Sequence, residues 1–117
     1  MSGSRSYHAG LAAEAQVARR YTDGGATVLA ERWRGAGGEI DLIVEEDGVI
    51  VFVEVKKSSD HDIAALRLGA DQILRLQTAA AEFLESRPKG ALTDCRFDVA
   101  LLDEAGRIEI LRNAIIG

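Results

Sequence analysis

The chain has 117 residues, 47% of them hydrophobic and 28% charged, with a formal net charge of −5. That length supports one domain with a real core and is too short for two, and the lone Cys95 excludes an intrachain disulfide and a thiolate metal site, fitting a reducing, cytoplasmic setting. No apolar run is long enough for a signal peptide or a membrane span, the longest being Val49–Val53, so a soluble protein is expected.

Residues 1–9, rich in Ser, Gly and Arg, read as a flexible N-terminal tail, and residues 10–117 as a single domain. Residues 10–23 predict a helix: Leu11, Ala15, Ala18 and Tyr21 recur at helical spacing, and Gly24-Gly25 supplies the stop. Glu14 lies within that stripe. A carboxylate there either sits in the first turn, favoured by the helix dipole, or faces a site that needs it.

Thr27–Ala30 reads as a first strand, with Arg32-Trp33-Arg34 after it; Trp33 fits a partly buried core position better than a stacking platform for a base. Gly35-Ala36-Gly37-Gly38 lacks the Lys-Ser/Thr of a phosphate loop and reads as a flexible connection. The two runs that follow, Gly38–Ile43 and Val51–Lys56, are joined by Asp47-Gly48, the strongest short-range hairpin signal. A two-residue loop makes Glu46 face Val49, and counting back from there Ile43 faces Phe52, Asp41 faces Glu54 and Glu39 faces Lys56. By strict alternation Glu39, Asp41, Glu54 and Lys56 share one face, and Ile40, Leu42, Val44, Val51, Val53 and Val55 the other.

Beyond Lys56, the stretch 57–62 is polar and loop-like, with His61 a solvated residue, and Ile63–Leu68 suggests a short helical turn. Asp71 reads as the N-cap of a helix reaching about Ser86, with the stripe Ile73, Leu76, Ala80 and Leu84 and with Gln72 at its start. Two strands close the chain, Arg96–Leu102, with Phe97, Val99 and Leu101 on one side, and Arg107–Leu111. The fold class is therefore α/β, a central mixed sheet of about five strands flanked by helices in the order α-β-β-β-α-β-β.

Directly opposed residues hold their Cβ atoms about 5 Å apart, which brings the Asp41 and Glu54 carboxylates within reach of one small cation. A solvated outer face also alternates charged and apolar residues, but it would place Lys rather than Glu opposite Asp. This face moreover turns apolar at Ile43, Ile50 and Phe52. The set suits metal-assisted phosphodiester hydrolysis. Asp41 and Glu54, with the carbonyl of Val55, would coordinate Mg2+ or Mn2+; Lys56 would orient or deprotonate the attacking water; Glu14 would hold that water or a second metal. Zinc is disfavoured, since the set includes neither Cys nor a well-placed His. The negative charge counts against nucleic acid, yet several acids lie in the proposed site, and Arg19, Arg20, Arg32, Arg34, Lys56, Lys57, Arg67 and Arg75 flank the hairpin. Arg19, Arg34, Lys57, Gln72 and Arg75 are accordingly the expected nucleic-acid contacts.

Asp41 followed by Glu54-Val55-Lys56, with a helical Glu14 before them, resembles the PD-(D/E)xK nuclease superfamily with its restriction-endonuclease-like core. More specifically, Gly38–Ile43, Val51–Lys56, Arg32-Trp33-Arg34 and Arg96-Phe97-Asp98-Val99, in that arrangement along the chain, resemble the YraN-like family of small predicted endonucleases, related to archaeal Holliday-junction resolvases. The likeness runs from about Gly10 to Asn113. It implies Glu14, Asp41, Glu54 and Lys56 as catalytic or metal residues, Glu39 as a supporting neighbour and Gln72 as the polar residue opening the second helix. It also implies nucleic-acid binding; the first hypothesis it supports is a nuclease acting on DNA, in preference to RNA, of branched, flap-like or junction-like structure, with a homodimer open. The chain departs from the family pattern at Asp71 and Ser58, where basic residues are usual. The alternative is a nucleic-acid-binding or scaffolding module with the same fold and no turnover.

Overall fold

The computed structural model describes residues 2–57 and 69–114, with side chains from residue 12 onward. The loop expected at 58–62, including His61, and the turn expected over 63–68 lie outside the described residues. Along the chain come α1 (Ser2–Asp23), β1 (Thr27–Arg34), β2 (Glu39–Glu46), β3 (Val49–Lys57), α2 (Ala70–Leu84), a 3-10 turn (Gly90–Leu92), β4 (Cys95–Leu102) and β5 (Ile108–Leu111). This is the α/β fold with the element order read from the sequence. The five strands form one mixed sheet in the order β1-β2-β3-β4-β5, antiparallel except for β3 beside β4. A parallel neighbour requires the chain to return to the same end of the sheet, and α2 lies in that return.

Each helix covers one face. On the α1 side, Val17, Ala18 and Tyr21 pack on Leu42, Val44, Val51, Val53 and Ala100. On the α2 side, Leu76, Ala79, Ala80, Phe83 and Leu84 pack on Ile43, Ile50, Phe52, Val99 and Leu101. Phe52 anchors that layer, with Phe83 edge-on at 6.0 Å and Phe97 tilted at 5.3 Å, while Trp33 meets Phe83 edge-on at 5.6 Å. Trp33 is therefore the partly buried core residue its position suggested. α2 keeps its expected stripe, but its N-cap is Gly69, with Asp71 inside the first turn and making no side-chain cap.

α1 differs from its reading in two ways. It begins at Ser2 rather than near residue 10. Its buried face is Ala13, Val17, Ala18 and Tyr21, and Ala15 is exposed. Bulk chooses the face: Val17 and Tyr21 bury more apolar surface than Ala15 can. Tyr21 also needs a partner for its hydroxyl, and it donates to Asp98 Oδ2 at 2.7 Å. Asp98 is fully buried. It is satisfied as well by the Arg96 Nε at 3.0 Å and by the amide of Asn113 at 2.9 Å. Arg96 continues to Glu46 at 2.8 Å, which Arg112 also reaches at 2.7 Å. The Arg96–Val99 motif is thus a polar tie that fixes α1, β2, β4 and the segment after β5 to one another.

The Asp47-Gly48 turn has both residues at positive φ, 52° and 81°, as a two-residue hairpin of matching twist demands. Register follows as counted, from Glu46 opposite Val49 to Ile43 opposite Phe52 and Leu42 opposite Val53. Strict alternation fails toward the far end of β2. Ile40, expected beside Leu42 and Val44, lies instead in the α2-side cluster with Ile43, and on β1 its partner Trp33 lies there with Ala30. Residues three apart share a face because Arg32, between them, adopts a left-handed φ of 51°. The break in alternation on β1 falls at Arg32, and on β2 it falls at Asp41 and Leu42.

Gly35–Gly38 is more than a connection. The amides of Ala36 and Gly37 donate to the two oxygens of Glu82 on α2 at 2.9 and 2.6 Å. The turn lies so close to α2 that an added Cβ at Gly37 would stand 2.5 Å from Thr78 Cγ2.

Candidate functional site

The β2–β3 ladder ends at Leu42 and Val53. Beyond that rung β2 stays with β1 as far as Arg34 opposite Glu39, and β3 stays with β4 as far as Lys57 opposite Leu102. The sheet forks there, and Asp41 and Glu54 are the first residues inside the fork. The Val55 amide, on the far side of the gap, donates to Asp41 Oδ2 at 2.9 Å, so the Asp41 side chain bridges the two prongs. Glu54 lies close enough to hydrogen-bond the Asp41 carboxyl. Gln72, reaching in from the first turn of α2, donates its Nε2 to Glu54 Oε2 at 2.9 Å. The convergence of Asp41 and Glu54 expected from the hairpin count is the geometry found.

Burial is the main reason the Glu54 carboxyl is pushed up to about 8, with the hydrogen bond and charge of Asp41 adding to it; the Lys56 ammonium and the Gln72 amide pull the other way. Two carboxylates this close repel each other when both are charged, and a cation between them relieves that repulsion. Glu14 on α1 is also raised, first by burial and then by the Asp41 charge, against the opposing Arg32 guanidinium. Glu14 therefore belongs to the same electrostatic neighbourhood and faces the fork from the α1 side.

A third charged residue completes the row. Arg32 stands on β1 between the rungs Glu31–Leu42 and Trp33–Ile40, hence opposite Asp41. Its Nη1 lies 3.3 Å from Glu14 Oε1 and its Nη2 3.8 Å from Glu39 Oε1. Glu39 also holds Arg34 at 2.9 Å. A left-handed conformation costs a non-glycine residue about 1 kcal/mol or more, so the surrounding structure holds Arg32 there against its preference. Reading the hairpin alone missed this role; extending the same register onto β1 would have placed Arg32 beside Asp41.

The other expected contacts surround the fork unevenly. Lys56 is half-buried on β3 and Lys57, at the end of that strand, is exposed. Arg75 is exposed on α2, and a Cβ added at Gly38 would stand 3.4 Å from its carbonyl oxygen. Arg34 is exposed and paired with Glu39. Arg19 lies on the solvent side of α1, beyond Glu14.

The donors at the fork are carboxylates, a carboxamide and main-chain groups, a hard-oxygen set that suits Mg2+ or Mn2+ better than zinc. Among the described residues no three Asp, Glu, His or Cys side chains gather around one point, so the acid pair would need the Val55 carbonyl, waters and phosphate oxygens to complete a coordination shell. Among the described residues no helix is long and apolar enough to cross a membrane.

Sheet, helices and fork define a small α/β protein with paired acids where two central strands part. The profile of the family described as "Uncharacterised protein family UPF0102" matches residues 13–102, most of the chain and every residue of the fork. The chain belongs to that family. It is 55% identical over 114 residues to a UPF0102 protein of Cereibacter sphaeroides, covering 97% of each chain. A UPF0102 protein of Ruegeria pomeroyi is 54% identical over 112 residues, covering 96% of this chain and 91% of that one. One from Roseobacter denitrificans is 51% identical over 114 residues, covering 97% and 88%.

Proposed function

We propose that this protein is a metal-dependent endonuclease of the PD-(D/E)xK type, cutting phosphodiester bonds in DNA of branched or junction-like structure. One observation carries the reading: Asp41 and Glu54 as the neighbouring acids that open the fork, Asp41 bridged to the Val55 amide and Glu54 held by Gln72, with burial and Asp41 pushing Glu54 up to about 8. A pair so arranged is poorly stable when fully ionised and gains from a divalent cation between its members. Asp41, Glu54 and the Val55 carbonyl would hold Mg2+ or Mn2+, which supplies charge neutralisation at the scissile phosphate and a more acidic water.

The chain's own groups account for the rest. Gln72 fixes the orientation of Glu54 through its 2.9 Å hydrogen bond, as an outer neighbour of a ligating carboxylate does. Lys56, whose charge already reaches Glu54, would balance negative charge developing on the phosphate and orient the attacking water. Glu14, raised by burial and by Asp41, is suited to accept a hydrogen bond from that water or to take part of a proton. Glu39 supports the arrangement by holding Arg32 and Arg34 beside the acids.

The test is cleavage of labelled junction, flap and single-stranded DNA by the purified protein in Mn2+. Wild type cuts at least one of them, and Asp41→Ala, Glu54→Ala and Lys56→Ala each lose about a hundredfold or more. Equal cutting by wild type and both acid variants would remove the assignment. Salt-sensitive binding without turnover would point to the non-catalytic module instead.

A further inference from the structure

We infer that α2 is the brace that sets the width of the fork, with Glu82 as its positioning residue, so that a side chain at the other end of the helix from Gln72 governs how well the acid pair holds a cation; this rests on the reading of the site as a metal-dependent phosphodiesterase. The oxygens proposed for the cation come from two prongs. Asp41 stands on the prong made by β1 and β2, while Glu54 and the Val55 carbonyl stand on β3. The ladder that would fix their separation ends one rung earlier, at Leu42 and Val53. A hard cation tolerates departures of only about 0.2 Å in its ligand distances, so the spacing of the prongs decides whether all three oxygens reach it at once.

α2 holds both prongs. At its first turn Gln72 donates to Glu54 Oε2 on the β3 prong at 2.9 Å. Ten residues further along the helix, about 15 Å at its rise per residue, Glu82 accepts the amides of Ala36 and Gly37 from the turn between β1 and β2, at 2.9 and 2.6 Å. That turn is shaped for the grip. An added Cβ at Gly37 would stand 2.5 Å from Thr78 Cγ2 and 3.0 Å from Glu82 Oε1, so a side chain there would lift the turn off the helix. The apolar residues of the prong follow it: Trp33 meets Phe83 edge-on at 5.6 Å, and Ile40 joins the cluster of Leu76 and Ala79. Ile40 is next to Asp41 in the chain, so the stretch in which β2 parts from β3 is the stretch that packs on α2. Across the gap itself the prongs meet through the Val55 amide and Asp41 Oδ2, 2.9 Å apart. Without the Glu82 carboxylate the turn loses two hydrogen bonds to α2, the β1–β2 prong gains freedom to move away from β3, and the Asp41–Val55 bond is the first to open.

Hydrogen exchange of the isotope-labelled full chain in EDTA, followed by NMR, reads the fork without metal, and calorimetric titration with Mn2+ reads the site. Glu82→Ala should lose protection at the Val55 amide at least tenfold more than at the amides of the β2–β3 ladder, because the brace is gone while the sheet stands. Its affinity for Mn2+ should fall about tenfold, as on loss of an outer support of a ligating carboxylate. Glu82→Gln keeps one acceptor oxygen for the two amides and should lie between wild type and Glu82→Ala on both readouts. Tyr21→Phe, which loses a hydrogen bond on the α1 face, is the control for stability alone: protection should drop evenly and Mn2+ affinity should keep its wild-type value. Val55 protection in Glu82→Ala that falls only in step with the ladder, or Mn2+ affinity equal to wild type, would overturn the role of Glu82 and leave the phosphodiesterase reading standing. A wild-type chain that takes up no Mn2+ would overturn that reading, while the exchange result would still decide whether α2 sets the fork.

Discussion

Glu54→Gln should make the apo protein more stable, and by an amount that grows with pH. In the native chain the Glu54 carboxyl is pushed from its ordinary value of 4.5 to about 8, chiefly by burial and then by Asp41. Below pH 4.5 both native and unfolded chains carry the proton, so the group is neutral in the balance. As pH rises from 4.5 toward 8 the unfolded chain ionises while the native one retains its proton, and native stability falls; above 8 the full penalty is present. Each tenfold difference in proton affinity corresponds to about 1.4 kcal/mol, which sets a ceiling of about 5 kcal/mol. Partial exposure of the site to solvent reduces this to about 2 to 3 kcal/mol. Glutamine keeps the shape and can donate its amide N–H to the Asp41 carboxylate, as the protonated Glu54 carboxyl does, while removing the ionisation. Urea unfolding in EDTA at pH 5, 7 and 9 measures it, with the single Trp33, packed edge-on to Phe83, as the fluorescence probe. The two proteins should be nearly equal at pH 5 and diverge by pH 9 in favour of the variant. A gap that stays constant with pH, or one that favours wild type at pH 9, would refute the reasoning.

Three further outcomes follow from the same geometry. Mn2+ added at pH 9 should raise the melting temperature of wild type and leave Asp41→Asn unmoved, with EDTA reversing the gain, since a cation replaces the proton the acid pair lacks at that pH. Asp98→Ala should cost about 3 to 5 kcal/mol in urea unfolding, because it strands the buried Tyr21 hydroxyl and leaves the half-buried Arg96 with Glu46 alone, whereas Tyr21→Phe should cost about 1 to 2 kcal/mol. Glu82→Ala should cost about 2 to 3 kcal/mol by the same measurement, as it releases the Ala36 and Gly37 amides that hold the glycine turn on α2.

Most of the fold was legible because it rests on short-range rules. Asp47-Gly48 fixed the turn, the turn fixed the register, and the register carried Asp41 to Glu54. What escaped the sequence depends on contacts between distant segments. Ile40 lies on the α2 face opposite Trp33 of another strand, next to Arg32 with its left-handed φ, and nothing local to Ile40 signals it. The face of α1 is chosen by Val17 and by the Tyr21 hydroxyl reaching Asp98, a partner 77 residues away. Glu82 is tied to the amide of Gly37, 45 residues away, and no pattern local to its helix marks that partner. The acid pair at the fork could be counted from the hairpin alone, whereas its surroundings of Arg32, Gln72 and Glu14 come from three other elements.

The most direct measurement is a crystal of the protein soaked in Mn2+ and read by anomalous diffraction. The account predicts a peak between the Asp41 and Glu54 carboxylates, with the Val55 carbonyl among its ligands and Gln72 still bonded to Glu54. The same soak giving no peak at saturating Mn2+, with Asp41 still bonded to the Val55 amide and Glu54 to Gln72, would contradict it.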